Sequence, residues 1–154
     1  MSSLIDTVFK NDLAALRAAL SQGADPDEKD DYARTPLIHA AGDNKLEAAK
    51  LLLEAHASTD VQDNIGCSAL HYAAQNFHPE MVSLLLHHGA TVDTEDIHGN
   101  TPLWSAVFDS RGRGDVITIL LRAGANKHHR NKHGMTPMEL SKSIANYNVA
   151  QFLD

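Results

Sequence analysis

Cysteine, aromatic residues, basic residues and long apolar runs are all scarce in this 154-residue chain. The one cysteine, Cys67, cannot form an internal disulfide, which excludes a disulfide-stapled scaffold and fits a reducing compartment. No apolar stretch approaches the ~18–20 residues needed to span a bilayer. The opening MSSLIDTVFKNDL lacks a cationic segment followed by an unbroken apolar one, so no secretion signal is expected. With 13 Lys and Arg against 20 Asp and Glu, the formal charge is −7. That balance argues against a general nucleic-acid or anionic-membrane binder. A soluble cytoplasmic protein is expected. What is present is a 43% hydrophobic share, enough for a folded core in one domain. Aromatics at 5%, with abundant alanine and leucine, favour thin layers of closely packed helices.

Three markers recur in one register. Thr35-Pro36-Leu37, Ser68-Ala69-Leu70, Thr101-Pro102-Leu103 and Thr136-Pro137-Met138 are spaced by 33, 33 and 35 residues. Gly23-Ala24, His56-Ala57, Gly89-Ala90 and Gly124-Ala125 repeat with the same intervals, as do Asp30, Asp63, Asp96 and Asn131. A fixed period of this length signals a repeat architecture. The Thr or Ser offers a helix N-cap, and the proline suits the first helical turn. The glycine can take the left-handed conformation that closes a helix. Two short helices per unit are predicted, for the central unit near 69–76 and 79–87. The second helix repeats apolar residues as Leu16 and Leu20, then Ala49, Leu51 and Leu53, then Val82, Leu84 and Leu86, then Ile117, Ile119 and Leu121. The roughly ten residues between units carry Asp27, Asp60 and Asp93, then Gly66, Gly99 and Gly134, which is turn chemistry.

RTPLIHAAGDNKLEAAKLLLEA, CSALHYAAQNFHPEMVSLLLHHGA and NTPLWSAVFDSRGRGDVITILLRAGA resemble ankyrin repeats. The resemblance runs from about Leu4 to Leu153. It implies an all-α solenoid of stacked helix-turn-helix units with β-turn or hairpin fingers. Units are expected at about 1–33, 34–66, 67–99, 100–134 and 135–154, all in one domain. Asp6, Lys10, Asp12 and Arg17 at one end, and Lys142, Ser143, Asn146, Asn148 and Gln151 at the other, suit the polar outer faces of capping units. The chain is read as a complete array.

Several positions depart from the pattern. His56 replaces the helix-closing glycine, a strain if the backbone there is left-handed. The fourth unit is two residues longer, and the excess falls between its helices in Phe108-Asp-Ser-Arg-Gly-Arg-Gly114. This reads either as a neutral insertion or as a mobile cationic loop reaching a partner through Arg111 and Arg113. Trp104 stands where the central unit has His71, and is either a packing residue or a partner-facing anchor. Charge is segregated too. Residues 1–65 carry 6 basic and 12 acidic side chains, 66–110 none and 5, and 111–154 carry 7 and 3.

Chemistry is thinly provided for. His128, His129 and His133 have no nearby Cys or acid to complete a metal set, so no metal is expected. His71 suits a structural hydrogen bond. No base is placed beside Cys67, and there is no phosphate-cradling glycine loop. No enzyme activity, small-molecule substrate, cofactor or membrane contact is expected.

Binding is left. In ankyrin-like proteins partners engage the finger tips and the concave inner-helix face. Carried onto this chain, the resemblance places Tyr32, Arg34, Asn64, Ile65, Ile97, His98, Asn100, Lys132 and His133 on the fingers. His39, Tyr72, Gln75, Asn76, Trp104, Ser105, Phe108 and Asp109 fall on the first helices. Tyr72, between the smaller His39 and Ser105, is expected to project furthest, so that alanine there would change stability by only about ±0.5 kcal/mol. The partner is expected to be another protein. The C-terminal GMTPMELSKSIANYNVAQFL, with the arginine-containing loop before it, is similar to small stand-alone bacterial ankyrin proteins, some of which act as immunity proteins for toxins. The alternative is a nucleic-acid-associated factor using the basic segment 111–142.

Overall fold

The computed structural model describes residues 2–154. Its helices come in pairs: α1 (Leu4–Phe9) and α2 (Leu13–Ser21), α3 (Pro36–Gly42) and α4 (Leu46–Glu54), α5 (Ala69–Gln75) and α6 (Pro79–His87), α7 (Pro102–Phe108) and α8 (Asp115–Arg122). A last helix, α9 (Pro137–Ser143), is followed by a 3-10 turn, Val149–Phe152. Among the described residues there is no strand, and no helix long and apolar enough to cross a membrane.

Each inner helix starts as its sequence requires. The Thr35, Ser68, Thr101 and Thr136 hydroxyls accept the N–H of Ile38, His71, Trp104 and Glu139, with proline at the first turn of α3, α7 and α9. The outer helices end on left-handed residues, Gly23, His56, Gly89 and Gly124, with φ of 86, 65, 87 and 93°. His56 therefore carries a genuine backbone strain at a position where its three counterparts carry none.

The pairs stack into two layers. In one, α1, α3, α5, α7 and α9 pack in chain order; in the other, α2, α4, α6 and α8 do. One contiguous apolar core lies between the layers and runs from Leu4 to Leu153. Its outer-helix contribution keeps the first member of each sequence series, Leu16, Ala49, Val82 and Ile117, fully buried, and adds neighbours that the series omitted. The fully buried pairs are Ala48 and Leu52, Met81 and Leu85, Val116 and Leu120, four residues apart on one helical face. Leu51, Leu84 and Ile119 turn partly outward, because residues two apart cannot share that face.

The fingers are held by inter-unit bonds. Asp27, Asp60 and Asp93 accept the backbone N–H of Ser58, Thr91 and Asn126 in the next finger, so they are staples rather than local turn residues. The amides of Asn64, Ile97 and Lys132 donate to the carbonyls of Tyr32, Ile65 and His98, each at 3.0 Å. His71, fully buried, adds a further tie. Its Nδ1 accepts the Ser68 N–H, and its Nε2 lies 2.9 Å from the Asn100 carbonyl of the next finger. All nine polar residues expected on the outer faces of the end units are exposed.

Candidate functional site

Behind every finger tip sits an acid or amide that organises it. Asp30, Asp63, Asp96 and Asn131 each take the backbone N–H groups two and four residues on through one side-chain oxygen. This fixes the tight turn, and leaves the second oxygen of Asp30 and of Asp63 to meet the inner helix.

That second oxygen decides the inner-helix face. Asp30 Oδ2 lies 2.8 Å from His39 Nε2. Burial works against the Asp30 charge, yet the Arg34 and Tyr32 amides and the His39 ring outweigh it and hold the carboxyl below its usual range. Asp63 Oδ2 accepts the Tyr72 hydroxyl at 2.6 Å and faces Arg34 Nε at 3.4 Å, while Arg34 Nη2 reaches the same hydroxyl at 3.2 Å. The Asp63 side chain is only 1% exposed. Burial, followed by the bond to Asp63, pushes the Tyr72 phenol well above its ordinary value.

Two expectations are corrected here. Tyr72 does not project furthest; its hydroxyl is drawn down onto a buried carboxylate. His39 is likewise mostly covered, at 12% side-chain exposure, and packs against Phe9 with ring centroids 4.7 Å apart. Between α3 and α5 these side chains leave a shallow groove of about 190 Å³ lined by Arg34, His39, Gly42, Tyr72, Gln75 and Asn76.

The remaining expected residues divide in three. Tyr32, Asn64, Ile65, Ile97, His98, Lys132 and His133 are exposed on the fingers, with the His98 and His133 rings 6.0 Å apart. Asn100 is half-buried and accepts a bond from Asn131. On α7, Ser105 is half-buried, and Phe108 and its neighbour Asp109 are exposed. Burial raises the Asp109 carboxyl, an effect that Arg111 opposes. Trp104 stacks on Phe108, centroids 5.3 Å apart and planes at 11°, with its own Nε1 buried and unpartnered. Phe108 is therefore the member of the pair offered to solvent, at 62% exposure.

Arg111 and Arg113 do not join the fingers. They lie beyond the C-terminus of α7, about 10 Å from its finger end at 1.5 Å per residue. Nor is the loop a free, mobile arm. The Arg113 guanidinium sits 4.2 Å over the Phe77 ring and bonds the Ser110 carbonyl, Gly112 lies against Tyr147, and Gly114 faces the Phe152 ring.

Sequence reasoning missed Phe9. It occupies the position equivalent to Gly42, Gln75 and Phe108, and is 53% exposed; carrying the register back into the first unit would have found it. It also missed the finger acids as organisers, although their spacing was already apparent.

A family model described as ankyrin repeats, three copies, matches residues 4–96 and again 56–131. The chain belongs to the ankyrin repeat family. Ankyrin repeats are generally protein–protein interaction modules, and the family is typically non-enzymatic. No curated protein matches the chain. Within this ankyrin solenoid the Cys67 thiol is pushed up to about 12, by burial first and by Asp63 and Asp96 next, so it stays protonated and weakly nucleophilic at neutral pH.

Proposed function

We propose that the chain is a non-enzymatic cytoplasmic module, a single domain of five units over 1–154, that docks a partner protein on its fingers and inner-helix face. The observation that carries this is a set of large apolar side chains left exposed on a rigid frame: Tyr32, Ile65 and Ile97 on the fingers and Phe108 on α7. Anchors of this kind, held by hydrogen-bonded turns, are what an interface requires. The narrower reading, an immunity or inhibitor protein for a cognate toxin, rests only on the likeness of the C-terminal stretch and the arginine-containing loop before it.

The nucleic-acid reading is disfavoured by the formal charge of −7, and three cations of the basic segment are held in place by the fold. Lys127 bonds the Leu153 carbonyl, Lys132 the Ile97 carbonyl, and Arg130 pairs with Glu139. Photo-cross-linkers placed at Ile65 and at Phe108 should capture one and the same protein, whereas one at Glu54 on the outer layer should not. Equal capture at Glu54 would refute the docking face.

A further inference from the structure

We infer that the row of finger tips pairs with a second copy of this chain, in reversed order about a two-fold axis. The inference rests on the reading of the fingers as a docking face and names one occupant of it. The tips stand in an evenly spaced row, because the same bond joins each to the next. The amides of Asn64, Ile97 and Lys132 donate to the carbonyls of Tyr32, Ile65 and His98, each at 3.0 Å.

Charge along that row is antisymmetric. Asp31 stands exposed on the first tip, with no ion-pair partner among the described residues. The two middle tips carry no Asp, Glu, Lys or Arg; they present Asn64 with Ile65, then Ile97 with His98. Lys132 stands exposed on the fourth tip, and its Nζ keeps its charge while donating to the Ile97 carbonyl at 2.9 Å.

Reversed pairing matches this pattern from end to end. Asp31 of each copy meets Lys132 of the other, so the ion pair forms twice. The second finger of each copy lies against the third of the other, which closes Ile65 and Ile97, 48 and 47% exposed, over the centre. An isologous contact needs this self-complementary form. Pairing in the same order would instead set the two Asp31 tips together and the two Lys132 tips together, at a like-charge cost.

The other finger charges do not break the match. Asp60 and Asp93 hold the Thr91 and Asn126 amides, and Asp96 is turned onto those of His98 and Asn100. Asp63 is 1% exposed, with Arg34 turned inward onto it, and Glu95 lies 2.8 Å from the His129 ring. Lys29 falls opposite Arg130, a like pair that Glu139, 3.3 Å from Arg130, offsets. Four tips make a smaller footprint than the ~20–30 residues a side of a standard interface, so the dimer is weak and yields to a tighter partner.

Sedimentation equilibrium of the purified full chain from ~1 to ~500 μM, a range suited to a weak interface, should show monomer and dimer in exchange. Asp31→Lys, Lys132→Asp and Ile65→Asp should each weaken dimerisation roughly tenfold or more. Asp31→Lys combined with Lys132→Asp rebuilds both end pairs in reversed order, so it should return the dissociation constant to within about threefold of wild type. An equimolar mixture of the two single charge variants should dimerise likewise, which also shows that both are folded. Glu54→Lys on the outer layer changes the net charge as Asp31→Lys does and should not weaken the dimer.

A chain that stays monomeric over the whole range, a double variant as weak as either single one, or an equal loss with Glu54→Lys overturns the inference. A foreign protein still captured at both Ile65 and Phe108 then leaves the docking reading standing. Without that capture the docking reading falls as well.

Discussion

Removing the Tyr72 hydroxyl should destabilise the protein far more than its place on a solvent-facing helix suggests. Its acceptor, Asp63 Oδ2, lies 2.6 Å away on a side chain 1% exposed, and the same carboxylate serves the Ile65 and Cys67 amides through Oδ1. A hydrogen bond to a charged group contributes about 1.5–3 kcal/mol. Arg34 remains beside Asp63 in Tyr72→Phe, so the loss should fall near the lower end, about 1.5 kcal/mol. Tyr72→Ala also gives up a half-buried ring; taking about half of the 3–5 kcal/mol for truncating a buried aromatic brings the total to roughly 3–4 kcal/mol. At ~2–4 °C per kcal/mol for a chain of this size, Tyr72→Phe should lower Tm by about 3–6 °C.

The internal control is Ser105, which holds the equivalent position relative to Asp96 and makes no side-chain bond to it, so Ser105→Ala should stay within about ±0.5 kcal/mol. Urea denaturation of both variants, with Asp63→Asn to complete a double-mutant cycle, measures the coupling. Tyr72→Phe behaving like Ser105→Ala would refute the claim that this network anchors the second finger.

Three further outcomes can be measured with the same assays. His56→Gly relieves a left-handed histidine at φ 65° and should raise stability by about 1 kcal/mol or less, because glycine also gains freedom when unfolded, read as a higher denaturation midpoint. Gly114→Ala places a methyl 2.3 Å from the Phe152 ring and should destabilise by about 1–3 kcal/mol, with hydrogen exchange rising first at residues 149–153. The buried His71 is held neutral, below its ordinary 6.5, by burial, while the Asn100 carbonyl and nearby acids oppose the shift. The unfolded chain thus binds a proton that the folded one refuses, so stability falls as pH drops through about 6.5. His71→Ile, which installs the residue found at the equivalent Ile38, should flatten that part of the curve; an unchanged slope between pH 7.5 and 5.5 would exclude His71 as its source.

Much of this architecture could be read before any coordinates. Capping hydroxyls, first-turn prolines and left-handed helix ends are local demands on a few consecutive residues, so Thr35, Ser68, Thr101, Thr136 and even the irregular His56 declared their roles in one dimension. Their 33-residue recurrence then fixed the order of stacking, because each unit of a solenoid touches only its neighbours. Exposure at the finger tips followed from the same register, as Tyr32, Ile65 and Ile97 illustrate.

What only the tertiary structure decided were partnerships between units or between distant parts of one. Whether Tyr72 points out or down depends on where Asp63 aims its second oxygen. Whether the 108–114 insertion swings free depends on Tyr147 and Phe152, more than thirty residues away in sequence. Whether Lys127, Arg130 and Lys132 form a basic surface depends on which carbonyls and carboxylates the fold brings within reach. A charge or a ring is a property of the residue. Its availability to a partner is set by the atoms packed around it, and no periodicity encodes those.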